Sequence, residues 1–193
     1  MVDKILAETR FYFAQCVFNT SCHYAAVERY QEQRGNRQNF AIGLSIVSVI
    51  TLILTVIGWE WKIEGLLKFL SFVGLLATAA SLIFEFYNRE DLTEFMCSHK
   101  TTAEHYKSLR DSFMNLIRMI MEGTDISKTE PLLEKYLEEY KLIGKFSPTT
   151  IYEDYKSAQN KLGLKNEGEA FTWSNEEIDR FLPEELRLSK WHV

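Results

Sequence analysis

Proline is scarce in this chain: three in 193 residues, Pro131, Pro148 and Pro183, all in the tail. Nothing in the first 123 residues therefore forces a helix to break. Cysteine is as rare, and Cys16, Cys22 and Cys97 show no C-x-x-C spacing, which excludes a disulfide scaffold and a cysteine-rich zinc module. An H-E-x-x-H pair, a glycine-rich phosphate loop and a nucleophile elbow are also missing, so nothing reads as an enzyme and no cofactor is expected. Positive charge is not in excess: 22 Lys and Arg stand against 27 Asp and Glu. Up to Gly123 there are 12 basic and 13 acidic residues, and beyond it 10 and 14. The net charge of -5 is mostly tail, and direct nucleic-acid binding is not expected.

The most informative lack is of any charge at all over 22 residues, Gln38 to Trp59. Six hinge-like positions, Glu60 to Gly65, separate this run from a second apolar one that ends at Phe84. At ~1.5 Å per residue each run reaches across a hydrocarbon core roughly 30 Å thick, which predicts spans at about residues 40–59 and 66–87. A helix packed inside a soluble bundle usually keeps a polar stripe for water, whereas the first run offers no ionised group on any face. Its twelve large aliphatic and aromatic residues each favour insertion by about 0.3 to 0.6 kcal/mol, which outweighs the interspersed Ser, Thr and Gly. Lys68 and Glu85 lie near the ends of the second run, where Lys68 reaches the interface beside Trp59 and Trp61.

Arg29, Arg34 and Arg37 precede the first span and Arg89, Lys100 and Lys107 follow the second, whereas the hinge side holds only Lys62 and Lys68. This asymmetry predicts an inner-membrane hairpin with both termini in the cytoplasm. Met1 to Arg10 carries four charges and Phe11 to Phe18 is too short for a signal peptide, so the first span is expected to serve as its own targeting signal.

The expected fold is all-α: a two-pass transmembrane hairpin with long cytosolic helical extensions and a small helical C-terminal module. The expected division is an effector part at 1–123 and an extension at 124–193. After the second span Leu92, His99, Tyr106, Phe113 and Ile120 recur every seven residues, with Phe95, Thr102, Leu109 and Leu116 three further on. This seam suits a packed helix or a coiled coil. Asn19, Thr20 and Ser21 are expected to end an amphipathic helix over residues 3–18 and to cap a second one beginning near Cys22. The aromatics Phe11, Tyr12, Phe13 and Phe18 suit packing against the helix after the second span better than a membrane surface. In the tail, Thr129 with Pro131 opens a helix that Gly144 closes, Ser147 with Pro148 opens one that Gly163 closes, and Ser174 with Glu177 forms a capping box.

Each span carries one small, polar row. In the first, Ser45, Ser48, Thr51 and Thr55 share a face; in the second, Ser71, Gly74, Thr78, Ser81 and Glu85 do. Two readings stand. In an antiparallel hairpin turning near residues 62 and 63, facing residues have numbers adding to about 125. Ser45 with Ser81, Ser48 with Thr78, Thr51 with Gly74 and Thr55 with Ser71 all satisfy this, which suits a packing seam. Alternatively, hairpins assemble and one row lines a water path. Glu85 has Ala41 at its level, so it either snorkels to the interface or forms a cation-favouring ring at a pore mouth. A metal site combining Cys22 and His23 with Cys97 or His99 lacks any diagnostic spacing, and none is expected.

The segment C-H-Y-A-A-V-E-R-Y-Q-E-Q-R at 22–34, the two spans and F-Y-N-R-E-D-L-T-E-F-M-C-S-H-K-T-T-A-E-H-Y-K-S-L-R at 86–110, with Ala103, Tyr106, Leu109 and Arg110, resemble the SLATT family. These are two-span effectors associated with SMODS nucleotidyltransferases and SLOG sensors in prokaryotic conflict systems. The resemblance covers residues 1–123, and the tail is similar to an extension carried by one branch. It implies a homo-oligomeric antiviral effector that perforates the inner membrane when a nucleotide-signalling, sensor or reverse transcriptase partner responds to infection. Two other readings compete with it, a non-conducting membrane scaffold and a soluble helical protein.

Overall fold

In the computed structural model, residues 2–60, 64–88, 91–164 and 173–188 are described. All regular structure among them is helical: α1 (Val2–Glu60), α2 (Glu64–Asn88), α3 (Asp91–Met121), α4 (Ile126–Phe146), α5 (Tyr152–Leu162), α6 (Asn175–Asp179) and a single 3-10 turn at Glu184–Leu186. Trp61, Lys62 and Arg89, which entered the interface and orientation arguments, lie outside the described residues, as does the side chain of Trp59. The chain divides into two compact units, Met1–Glu28 with Cys97–Val193, and Arg29–Met96. The boundary expected at Gly123 falls inside the first of these.

The unit Arg29–Met96 is the hairpin. Two helical stretches, one ending at Ile57 and the other at Leu67–Phe86, are long and apolar enough to cross a membrane, and only 6% of the most apolar window of each is buried. A core helix of a soluble protein is mostly buried; here Leu52 is 67% and Phe86 91% exposed. Large apolar side chains stay exposed from Phe40 to Ile57, a belt about 26 Å tall at ~1.5 Å per residue. So broad an apolar surface has lipid as its natural solvent. The soluble reading falls on this observation, and the fold is a two-pass helical hairpin.

The other unit is built on α3. The seven-residue seam is its buried face: His99, Thr102, Tyr106, Leu109, Phe113, Leu116 and Ile120 are all buried. From Tyr106 to Ile120 they pack within the same chain, against Ile5, Phe13, Ala14 and Cys16 of α1 and Leu133 of α4. Phe95 departs from the seam; in the hairpin unit it is exposed and stacks on Tyr30, with centroids 5.6 Å apart. Phe13 and Phe18 are buried and Tyr12 stacks on Phe113 at 6.1 Å, so these three N-terminal aromatics build protein core, whereas Phe11 is exposed.

Four boundaries differ from expectation. No helix ends at residues 19–21, and two of the three polar side chains expected to cap there have another use. The Thr20 hydroxyl donates to Cys16 O at 2.7 Å, back along its own helix, and the Asn19 amide donates to the Tyr140 hydroxyl at 3.0 Å. α4 opens at Asp125, whose carboxylate accepts from Ser127 N, and Pro131 lies inside the helix with Gly144. α5 opens at Ile151, whose N–H donates to the Asp154 carboxylate at 3.1 Å. The other ends follow expectation. Ser174 and Glu177 form their reciprocal box, and Gly163, at φ +63, closes α5. There Leu164 N donates to Gln159 O and Gly163 N to Asn160 O, a Schellman pair.

The tail docks on its own chain. Leu133, Ile178, Leu182 and Leu186 join the main core, with Tyr136, Leu137 and Tyr140 packed partly buried against it. Ala158 and Leu164 form a second cluster with Phe18 and Cys22 of α1.

Candidate functional site

The polar rows of the hairpin are brought together only in part. Ser45 and Ser81 hydroxyls lie 3.2 Å apart, and Ser45 also donates to Ala41 O at 3.0 Å. Thr51 is buried against Gly74, so close that a Cβ on residue 74 would stand 2.7 Å from Thr51 Oγ1. That hydroxyl has nowhere better to go, since it already donates to Val47 O and Ser48 O at 3.0 and 2.9 Å. Ser48 and Thr55 are half-buried and return to Leu44 O and Thr51 O.

On α2 the packed face is offset from the polar row by about one residue. Leu70, Gly74, Ser81 and Phe84 are half-buried and Ala77 is buried, with Phe84 meeting Phe40 at 5.1 Å. Ser71, Thr78 and Glu85 are exposed. They follow one another at seven-residue intervals, so they form a single polar line beside the contact face. Thr78 donates to Gly74 O at 2.8 Å. The hairpin thus uses Gly74 and Ser81 for close approach and leaves Ser71, Thr78 and Glu85 on its surface.

In the other unit the structure joins His23 of α1 to His99 of α3, with Nδ1 atoms 2.9 Å apart and both rings buried. One ring must donate and the other accept. Tyr106 stacks on His23 with centroids 5.8 Å apart. Burial, reinforced by His99 and opposed by Asp154, lowers the His23 pKa to about 4, so His23 is neutral at ordinary pH. Cys22, which entered the metal argument with His23, is buried and its thiol is pushed up to about 12 by burial and by Asp154, whereas Cys97 is exposed. Burial also raises the Cys16 thiol. Both buried thiols are protonated and behave as small apolar groups. Among the described residues no three His, Cys, Asp or Glu side chains come together as a metal site.

A second feature that sequence reasoning missed is Arg10, buried to 1% exposure within the core. Its guanidinium meets Asp179 Oδ1 at 2.6 Å and Leu186 O at 3.3 Å, and Asp179 also accepts from Leu188 N at 3.2 Å. One charge on a helix otherwise rich in polar positions gives no sequence sign of its burial.

Among the described residues the geometry brings no nucleophile to an activating base. It offers an apolar belt of bilayer height, a polar line exposed on it, and a separate helical unit clasped by the tail. No curated protein and no solved structure matches the chain. Residues 6–177 match the family described as SMODS and SLOG-associating 2TM effector domain family 4. With nearly the whole length matched, two candidate spans and an all-helical fold, the chain belongs to that family of two-transmembrane effectors.

Proposed function

We infer that this chain is a membrane-perforating effector in which hairpins of several copies assemble and the polar line of α2 faces a water path. One observation carries the reading: Ser71, Thr78 and Glu85 are exposed along one side of α2. Around them Phe72, Leu75, Leu82 and Phe86 are exposed apolar side chains. Polar and charged groups are costly at such positions unless they face a cavity, and intramembrane carboxylates commonly mark ion pathways. A ring of Glu85 at a pore mouth would favour cations.

The family name supplies the setting, a conflict system with a SMODS or SLOG protein as signalling partner or sensor; a reverse transcriptase is a further candidate partner. Binding of that partner to the cytosolic helices would shift the population towards the conducting oligomer. In this reading residues 1–123 are the effector part and the 124–193 extension governs its release. The hairpin sits in the inner membrane with both termini in the cytoplasm, in keeping with Arg29, Arg34 and Arg37 before the first span. Neither catalysis nor nucleic-acid contact is required.

The test is induced expression with the cognate partner while membrane potential is followed by a voltage-sensitive dye. Depolarisation is expected, with an altered ion preference in Glu85→Gln and weaker conduction in Ser71→Leu with Thr78→Leu. An unchanged potential with the partner present refutes the reading. A non-conducting scaffold is favoured by a different observation: Leu142, Phe146 and Tyr152 in the tail are exposed apolar residues suited to a partner protein. Exchanging both spans for unrelated apolar hairpins preserves a scaffold's function and abolishes a pore's.

A further inference from the structure

The hairpin unit carries a groove of about 570 Å³ whose lining changes character along its length. It begins on α1 with Arg34 and Arg37 and continues through Ile42, Ile46 and Val49, with Phe84 of α2 opposite. Arg34 is exposed, Arg37 half-buried, and the three aliphatic residues are each about half exposed. From Arg37 to Val49 the helix rises about 18 Å. One leaflet of a bilayer has a hydrocarbon depth of about 15 Å, half the usual core. The groove is therefore basic where headgroups lie and lined mainly by apolar side chains to the depth of a single acyl chain, with Ser45 and Ser81 as polar interruptions.

We propose that this groove binds one anionic phospholipid, with its phosphate between Arg34 and Arg37 and an acyl chain along Ile42, Ile46 and Val49. The guanidinium fork matches phosphate oxygens two at a time, and a basic pocket between membrane helices is the usual receptor for an anionic headgroup. Glu85 also lines the groove. On the antiparallel register it lies about one turn deeper than Arg37. Its carboxylate repels a phosphate at that depth and so holds the headgroup at the arginine end. A second hairpin is the other occupant an apolar groove accepts, but it brings no anion to the arginine pair. The proposal does not depend on conduction.

Native mass spectrometry of the detergent-solubilised full chain, offered equal amounts of phosphatidylglycerol and phosphatidylcholine with identical acyl chains, tests it. Phosphatidylglycerol should be retained about fivefold or more over phosphatidylcholine. Arg34→Gln with Arg37→Gln should bring the ratio to about one, while Arg34→Lys with Arg37→Lys keeps most of it and Glu85→Gln raises it. Ile46→Trp, which fills the groove, should lower retention of both lipids, with circular dichroism showing unchanged helix content. Equal retention by the native chain, a preference that survives in the double Gln variant, or a lipid-free dimer mass in place of the lipid complex overturns the proposal.

Discussion

Arg10 and Asp179 form a buried ion pair across 169 residues of sequence, 2.6 Å from Nη2 to Oδ1, with both side chains under 8% exposed. The pair ties the third turn of α1 to the end of α6, and the backbone at Leu186 and Leu188 closes around it. Removing one partner strands a charge in the core. Asp179→Ala should therefore destabilise the protein by about 3 to 5 kcal/mol. Arg10→Met with Asp179→Leu should lose much less, because no unpaired charge remains. Thermal unfolding of the two variants in detergent, followed by circular dichroism, checks the difference; equal losses would contradict it.

The buried His23 ring, held against His99, makes stability depend on pH. His23 titrates near 4 when folded and at its ordinary value of 6.5 when unfolded. Between those values the unfolded chain binds a proton that the folded one refuses, so His23's contribution is complete above pH 6.5 and is lost as pH falls towards 4. Asp154 pulls the other way, and Tyr106 covers the ring without charge in this range. The drop in melting temperature from pH 6.5 to 4 should be shallower in His23→Gln than in the native chain. An identical slope would remove His23 from the account.

Gly74 is where the two spans come closest. A side chain there meets Thr51 Oγ1, which is held by two carbonyls and belongs to a stiff β-branched residue. Gly74→Leu should loosen the hairpin by about 1 to 3 kcal/mol. With Ser45→Cys and Ser81→Cys as reporters across their 3.2 Å contact, oxidative cross-linking should be efficient in the parent and poor with Leu at 74. Undiminished cross-linking would show that the spans accommodate the side chain.

At the end of α5, Gly163 adopts φ +63 while Arg180 donates to Leu162 O at 2.7 Å and to Gly163 O at 3.3 Å. Gly163→Ala should cost about 1 to 2 kcal/mol from the left-handed backbone alone, and its Cβ would also crowd Arg180 Nη2 at 3.1 Å. Hydrogen exchange at Leu164 should quicken in this variant; unchanged exchange would count against the strain argument.

The hairpin was legible because lipid demands apolar character on every face, a requirement visible in composition without any tertiary information. The seam of α3 was legible for a related reason, its seven-residue recurrence. Asn19 to Ser21 misled because a cap and a buried polar contact use the same residue types; only the position of Tyr140 and the carbonyl of Cys16 decides between them. The start of α4 misled similarly, since Asp125 and Thr129 both suit a cap and Pro131 is tolerated within. The offset of the α2 contact face by about one residue was beyond periodicity, because Ala77 and Ser81 suit close packing as well as Thr78 does. An antiparallel count carried to α1 and α3 would have brought His23 within about a turn of His99.

α1 carries residues of both units on one uninterrupted backbone ladder from Val2 to Glu60. Within the hairpin that ladder makes length matter more than composition: a residue inserted between Ser48 and Thr51 would swing Thr51 about 100° out of phase with Ser45, so that Ser81 and Gly74 could no longer both be met.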